Sequence, residues 1–286
     1  KKISTNILLA KNMRRIAVLS TNNNPHYFFY VPIVEWAWNK LGWDVALFIT
    51  KDCPPLHSYT ETPTRIFMIP DIEGVRSNTL AQTVRHFVAD VLPHDDYWQV
   101  QDIDLIPLAP WNPDTSLRTI YGWELTGKSF IPVHYTGMLG DKWYELMDCT
   151  GDLKADMERE MKANGRAYEK EWDRYWDTDW DILTQKVLKK KDLFQFIPRR
   201  MVTLGQYQTA EGRIDRCSIQ VSPSGEYSWG YTLNQPNYID MHCENNYPSS
   251  PEKWKMIRDV LVKVFGEIPE WMDEYVKEFH EKYERP

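Results

Sequence analysis

Short apolar runs alternate with helical apolar patterns along the first third of the chain. The apolar runs are stopped by polar residues, and they predict strands at 15–20, 45–49, 65–69 and 97–100. Between them, apolar residues recur at helical spacing and predict helices at about 31–41 and 79–91. This alternation predicts an α/β fold with a mostly parallel central sheet flanked by helices.

Turn and cap residues mark the expected ends of both helices. Pro32 lies near the start of the first helix, and Gly42 is placed to end it. Ser77 and Asn78 are good N-caps for the second helix, which we expect from about Thr79. The apolar stripe of that helix consists of Leu80, Val84, Phe87, Val88 and Val91. Such a stripe predicts a face packed on the sheet.

The second half of the chain is less regular. Residues 152–192 carry dense mixed charge, and we interpret them as solvated helices held by scattered apolar anchors. The anchors are Met157, Met161, Tyr168, Trp172 and Trp176. Gly225 is expected in a turn beside a short strand near 227–232. Two helices close the chain, one starting at Pro251 and the other after Pro269, so we expect a helical C-terminal part.

Composition bounds the class of protein. The chain has 286 residues, 42% of them hydrophobic, which is ample for one large core. Its net charge of −7 argues against a nucleic-acid partner, since that binding draws on clustered Lys and Arg. No apolar run approaches the roughly 20 residues of a membrane span. No secretory signal is visible in a sequence that begins at Lys1.

The cysteines and the aromatic residues add two expectations. Cys53, Cys149, Cys217 and Cys243 lie far apart without a CxxC pair, which argues against structural zinc and against a disulfide framework. We interpret them as reduced thiols of a cytoplasmic protein. The chain also has 13 Trp and 16 Tyr. Most of these fill the core, but such rings also make flat platforms for sugars and bases.

The strongest chemical signal is the pair Asp102 and Asp104, which directly follows the strand predicted at 97–100. Ligands of α/β sheets bind off the carboxyl ends of strands. Carboxylates suit Mg²⁺ or Mn²⁺, provided that the chain turns so that both meet one ion. The same D-x-D spacing occurs at 177–179 and 179–181 within a charge-rich stretch. Placement after a buried strand and before the apolar run 105–108 favours Asp102 and Asp104.

Several stretches together resemble the GT-A glycosyltransferases, and more narrowly the small glycosyltransferases encoded by chlorella viruses and related large DNA viruses, with their bacterial relatives. The resemblance rests on RSNTLAQ at 76–82, YWQVQDIDLIPL at 97–108, STNNNP at 20–25, IPVHYTG at 131–137, GRIDR at 212–216 and YIDMH at 238–242. It covers about 14–265. It implies a GT-A fold, with an N-terminal arm at 1–13 and a single domain at 14–286. Within that domain we expect a nucleotide-binding half (14–108), an acceptor half (109–250) and C-terminal helices (251–286).

The resemblance implies a role for each of several residues. Thr21 and Asn23 would face the base and ribose of the nucleotide, and Arg76 would lie against the nucleotide or its phosphates. Asp104 would bind the metal directly, while Asp102 would bind the metal or the ribose. A third metal ligand would be His242, whose imidazole suits Mn²⁺ better than Mg²⁺. The alternative for His242 is a hydrogen-bonded structural histidine.

The resemblance also implies residues on the acceptor side. His134 and Gly137 would form a wall for the donor or acceptor sugar. An inverting transfer needs a carboxylate that deprotonates the acceptor hydroxyl. The position of this base in GT-A enzymes corresponds to the stretch 176–183 of this chain. Asp179 is the first choice for the base and Asp181 the second. The chain departs from the family here, because Trp180 separates an acidic pair that many relatives carry. Helix capping by Asp179 is the competing explanation.

The implied function is a metal-dependent hexosyl- or pentosyltransferase, inverting, that moves a sugar from a UDP-sugar to a glycan or glycoprotein acceptor. One alternative is a sugar nucleotidyltransferase, which usually has a Gly-rich loop with a basic residue after the first strand. The loop at 21–26 has neither Gly, Lys nor Arg. A non-catalytic carbohydrate-binding protein on a transferase fold is the other alternative.

Overall fold

The predicted strands and helices of the N-terminal part are present in the computed structural model. The structure describes residues 13–54, 65–110, 114, 116–121, 131, 133–134, 136–171, 176–197, 201–204, 207–210, 213–215, 240–243 and 251–283. Strands β1 to β4 span Arg15–Thr21, Asp44–Ile49, Arg65–Met68 and Tyr97–Val100. Helices α1 to α3 span Pro25–Phe28, Val31–Lys40 and Ser77–Val84. A 3₁₀ turn follows at Val88–Asp90.

Further strands and helices make up the rest of the described chain. Strands β5 to β8 span Leu105–Pro107, Arg118–Tyr121, Thr136–Leu139 and Phe194–Ile197. Strands β9 to β12 span Met201–Leu204, Tyr207–Ala210, Arg213–Asp215 and Asp240–His242. Helices α4 to α8 span Gly140–Met147, Leu153–Asn164, Thr178–Lys189, Pro251–Phe265 and Glu270–Tyr283. Two more 3₁₀ turns lie at Arg166–Tyr168 and Lys191–Leu193.

The central sheet has seven strands in the order β3-β2-β1-β4-β7-β6-β8. Only β7 runs antiparallel to both of its neighbours, and the other described pairs in this sheet are parallel. The predicted α/β class with a mostly parallel sheet is therefore confirmed. From β1 the chain proceeds outward to β2 and β3, then returns to place β4 on the other side. This reversal makes a topological switch point between β1 and β4, where ligands of such sheets bind.

Two hydrophobic layers cover the two faces of the sheet. Ala17 and Leu19 of β1 belong to a core shared with α2, α7 and α8. Ile16 and Val18 point to the other face and belong to a core shared with α3, α4, α5 and α6. Successive residues of a strand point to opposite faces, so an uninterrupted apolar run is the pattern that a doubly covered strand requires.

Helix α3 differs from its prediction at both ends. It begins at Ser77 rather than Thr79, and Ser77 accepts a hydrogen bond from the Asn22 amide (3.2 Å) instead of capping the helix. It ends at Val84, because the amides of His86 and Phe87 bond to carbonyls three residues back. Such bonds tighten the end of a helix into 3₁₀ turns. The apolar stripe still packs on the sheet as far as Val88, while Val91 is exposed.

The predictions for the second half hold where the structure describes it. The charged stretch forms α5 and α6, with Met157 and Met161 fully buried, and both C-terminal helices are present. Trp172 and the strands expected around Gly225 lie outside the described residues. Of the helices that the structure describes, none combines the length and the apolar character needed to cross a bilayer.

Candidate functional site

A cavity of about 260 Å³ opens at the carboxyl ends of β1 and β4, at the switch point of the sheet. The backbone of β4 stays paired with β1 to its end, where the Gln101 amide donates to the Val18 carbonyl (3.1 Å). Residues from β1, α1, α3, the β4–β5 turn, α6 and β12 line the cavity. Because these segments are remote in sequence, only the fold brings them together.

The acidic pair Asp102 and Asp104 lines this cavity from the turn between β4 and β5. The Leu105 amide bonds to the Asp102 carbonyl (3.3 Å), so the chain turns there as the prediction requires. The two carboxylates nevertheless have different partners. Asp102 lies 3.4 Å from the His134 ring nitrogen Nδ1, whereas Asp104 lies 3.7 Å from Nε2 of His242. The pair therefore takes part in two neighbouring sets of contacts.

Arg85, which the sequence analysis did not single out, is the buried cation of the site. It directly follows α3 and is 5% exposed. Its Nη1 atom lies 2.7 Å from an Asp102 oxygen and 2.7 Å from the Gln101 carbonyl, and its Nη2 atom lies 3.2 Å from Asp179. A charge this deep is stable only when paired. Arg85 thus joins the acidic pair on β4–β5 to the acidic stretch on α6.

The Arg85 contacts leave the two carboxylates with different acidities. Burial alone would raise the pKa of Asp102, but the Arg85 and His134 charges outweigh it and hold that pKa well below its usual range. Burial raises the pKa of Asp179 to about 7, against the opposing charge of Arg85. At neutral pH, Asp102 is therefore ionised while Asp179 is poised to exchange a proton. Environments that make the pKa values of two neighbouring carboxylates differ in this way are typical of acid–base sites.

Asp179 and Asp181 occupy different surroundings, although both lie in the first turn of α6. Asp179 lines the cavity and is 1% exposed. Asp181 is not among the cavity-lining residues and pairs instead with Arg166 at 2.6 Å. The N-cap residue of α6 is Asp177, which makes no side-chain cap hydrogen bond. The Asp179 carboxylate accepts from the first-turn amide of Trp180, so it satisfies a helix-end donor as well as facing Arg85.

His242 reaches the cavity through strand pairing. Strand β12 runs antiparallel to β5 and sets His242 opposite Leu105, and the Cys243 amide donates to the Asp104 carbonyl (2.8 Å). Two ligands on one ion with bonds of about 2.1 Å lie about 3 Å apart at right angles and about 4.2 Å apart when opposite. The 3.7 Å between Asp104 and His242 falls between these limits. These two side chains therefore fit a divalent cation. Asp102 lies at a similar distance from His134, but its other oxygen is already paired with Arg85.

One cluster of potential metal ligands among the described residues lies apart from the cavity. Donor atoms of Asp90, Cys149 and Asp156 lie within 4.8 Å of one another. The carboxylates already accept hydrogen bonds, Asp90 from the Gly151 amide (2.9 Å) and Asp156 from the Thr150 hydroxyl (3.1 Å). We interpret this cluster as the anchor for the start of α5.

The residues predicted for the nucleotide divide into two groups. Thr21 lines the cavity at the end of β1, with Asn22 beside it. Asn23 is exposed on the same loop and does not line the cavity. Arg76 is exposed as well, and its guanidinium donates to the Lys170 carbonyl (3.0 Å). The structure thus brings Thr21 to the cavity and leaves Asn23 and Arg76 outside its lining.

Of the two residues predicted for the sugar wall, only one lines the cavity. His134 lines the cavity and contacts Asp102. Gly137 lies inside the sheet on β7, opposite Gln99 of β4. A Cβ atom at position 137 would collide with the Tyr97 side chain, so packing alone accounts for a glycine there.

Other cavity-lining residues were missed by the sequence analysis: Tyr27, Asn78, Gln82, Arg85, Trp176 and Trp180. Asn78 and Gln82 are one helical turn apart, and Arg85 follows three residues later. Thr83 and His86 beside them are polar as well, so this pattern does not mark a site. For Tyr27 and the two tryptophans, nothing in the local pattern separates a ligand-facing ring from a core ring.

Comparisons with known proteins give similarities of chain path at low identity. No protein-family profile and no curated protein matches this sequence. The glycosyltransferase GlyE of Streptococcus pneumoniae TIGR4 is similar with 12% identity and a TM-score of 0.40, over 65% of this chain and 45% of that chain. This chain therefore spans less than half of GlyE.

The galactosyltransferase LgtC, solved with donor and acceptor sugar analogs, is similar with 11% identity and a TM-score of 0.44. An active-site mutant of LgtC is similar with 10% identity and a TM-score of 0.45. Both LgtC structures are matched over 91% of this chain and 99% of their own chain.

Proposed function

We propose that this chain is a metal-dependent, inverting GT-A glycosyltransferase that moves a sugar from a UDP-sugar to a hydroxyl of a glycan acceptor. One observation carries the proposal. Residues predicted for three separate roles, namely Thr21 for the nucleotide, Asp104 and His242 for the metal, and Asp179 for the acceptor proton, line one cavity at the switch point.

The metal-binding part of the proposal uses the second half of the acidic pair. Asp104 and His242 would hold Mn²⁺ or Mg²⁺, and the imidazole favours Mn²⁺. The ion, when bound, neutralises the charge on the leaving diphosphate. Asp102 keeps a separate task in this scheme, since its carboxylate fixes Arg85 and His134 at the floor of the cavity.

The base in the proposal is Asp179. An efficient general base has a pKa near the working pH, and burial raises the pKa of Asp179 to about 7. Arg85 and the Trp180 amide each donate to one oxygen of this carboxylate, so its orientation is fixed before the acceptor arrives. The acceptor hydroxyl would pass its proton to Asp179. At the same time, the hydroxyl oxygen would form a bond to the anomeric carbon of the donor sugar, and the bond from that carbon to the diphosphate would break.

The direct test is release of free nucleotide from a panel of UDP- and GDP-sugars, with Mn²⁺ and with EDTA. We expect metal-dependent UDP release that Asp104→Ala abolishes, since a hard cation loses its carboxylate ligand. His242→Ala should raise the Mn²⁺ concentration needed for half-maximal rate and keep the fold. Asp192→Ala is the control, because that carboxylate is exposed and remote from the cavity lining. If calorimetry gives the same UDP affinity with EDTA as with Mn²⁺, the metal-dependent mechanism is contradicted.

A further inference from the structure

Two tryptophans line the cavity beside Asp179, and the proposed function gives them no task. Trp180 belongs to the first turn of α6, and Trp176 comes just before the N-cap Asp177. Both side chains line the same cavity as Asp179. We refer to Trp176 and Trp180 together as the aromatic wall.

This aromatic wall is partly fixed and partly accessible. Both rings are half-buried, and Trp180 also packs on the core beneath α6. Packing on this core holds the ring, and the Trp180 backbone amide donates to the neighbouring Asp179 carboxylate (2.9 Å). A ring held in this way offers a surface to a ligand at little cost in side-chain entropy.

Hydrogen-bonding groups share the same cavity. The lining includes His134, Asp102 and Arg85 together with the two tryptophans. A pyranose ring has an apolar C–H face and a rim of hydroxyls, so it needs an aromatic surface and polar groups near each other. A purely apolar ligand would make no use of the polar groups, and a bare phosphate would gain nothing from the rings.

We propose that Trp176 and Trp180 stack on a pyranose ring of the acceptor, so that the acceptor is a glycan ending in a sugar with an apolar C–H face. This inference rests on the proposed function. The acceptor, rather than the donor sugar, is assigned because Trp180 adjoins Asp179, and a general base must touch the hydroxyl that it deprotonates. The Asp104 and His242 pair, proposed for the donor diphosphate, belongs to the β5 and β12 segments instead.

Saturation-transfer NMR with methyl pyranosides tests the inference directly. The probes are methyl β-D-glucopyranoside, methyl β-D-galactopyranoside and methyl α-D-mannopyranoside, with UDP and Mg²⁺ present throughout. For at least one probe we expect strong transfer to the C–H protons of one ring face. In Trp180→Leu and in Trp176→Leu the affinity for that probe should fall about tenfold. Trp271→Leu, on α8 and outside the cavity lining, is the matched control and should bind normally.

Further measurements separate this inference from the proposed function. The affinity for the UDP-sugar, read by calorimetry, reports on the donor side alone and should stay within about twofold in both tryptophan variants. Unchanged pyranoside affinity in both variants, no pyranoside binding by the wild type, or a loss of UDP-sugar affinity instead would each overturn the acceptor assignment. Failure of the wild type to release nucleotide from any sugar donor would overturn the proposed function instead. Where Trp180→Leu unfolds, Trp176→Leu decides, since Trp176 is not part of the core cluster.

Discussion

A single cation sets the acid–base character of the candidate site. Arg85 is 5% exposed and pairs with Asp102 and Asp179, which come from different parts of the chain. Removing one partner of a buried pair leaves an uncompensated charge, which costs about 3–5 kcal/mol. Removal of Arg85 should therefore be destabilising; its charge lowers the pKa of both partners, and only at Asp179 does burial outweigh it.

At the residue scale, the raised pKa of Asp179 predicts a pH dependence of both rate and stability. As the general base, Asp179 must be ionised, so kcat/KM should rise with pH and level off above about pH 7. Asp179→Asn should lose about 10²–10⁴ in kcat while UDP-sugar affinity is kept. Rate profiles from pH 5 to 9 check both expectations.

The stability effect has a definite sign. An unfolded Asp titrates at about 3.9, whereas burial raises the pKa of Asp179 in the fold to about 7. Between these values the folded state binds the extra proton, so this residue lowers the free energy of unfolding as pH rises, and the loss is complete above about pH 7. Asp179→Asn should remove this dependence of the free energy of unfolding on pH. The Asp181 carboxylate pairs with Arg166 instead, so Asp181→Asn should leave both the pH dependence and the rate unchanged. A product with retained anomeric configuration, read by NMR, would remove the need for this base.

The close approach of strands β4 and β7 explains Gly137, a glycine that the sequence analysis assigned to a sugar-binding wall. Gly137 faces Gln99 across the antiparallel pair, and the Tyr97 ring fills the space that a side chain would need. Tyr97 is itself fully buried. The ring cannot retreat, so any addition at position 137 must displace packed strands.

Gly137→Ala should therefore lower the free energy of unfolding by about 1–3 kcal/mol, as overpacking does. Urea denaturation checks the value. Tyr97→Phe removes the hydroxyl that the new methyl group would meet, so the double variant should recover part of the loss. Unchanged stability with weakened UDP or acceptor binding would instead support the sugar-wall role that the family resemblance implies.

At the scale of the whole molecule, the candidate metal ligands come from segments that only the tertiary fold joins. Asp104 directly precedes β5, and His242 lies on β12, which pairs with β5 in the three-stranded sheet. A ligand that holds both side chains therefore links two strands that are remote in sequence. Binding to the folded state alone adds RT ln(1 + [L]/Kd) to stability.

Thermal unfolding should show this linkage. At ligand concentrations about 100-fold above Kd, UDP with Mn²⁺ adds about 2.7 kcal/mol, a rise of about 4–5 °C in Tm for a chain of this size. UDP with EDTA should give a much smaller rise, and Asp104→Ala and His242→Ala should each remove the metal-dependent part. Asp192→Ala should behave as wild type. A metal-dependent shift that survives in both ligand variants would place the ion elsewhere.

The α/β class, the central strands, the helix at 31–41 and the C-terminal helices followed from sequence alone. Each depends on the spacing of apolar residues a few positions apart, and the local backbone period dictates that spacing. The placement of Asp102 and Asp104 at a strand end was predictable for the same reason, since strand and turn are both local features. The end of α3 was not predicted, because its apolar stripe continues through the change to 3₁₀ bonds.

Only the tertiary structure decided which residues share the cavity. Asp179 and Asp181 are alike in sequence, yet helix rotation turns one toward Arg85 and the other toward Arg166. Arg85, Trp176 and Trp180 carry no local mark of a site. His242 meets Asp104 through the register of β12 on β5. Such contacts depend on strand register and helix orientation between segments remote in sequence, which packing of the entire chain selects and which no local pattern encodes.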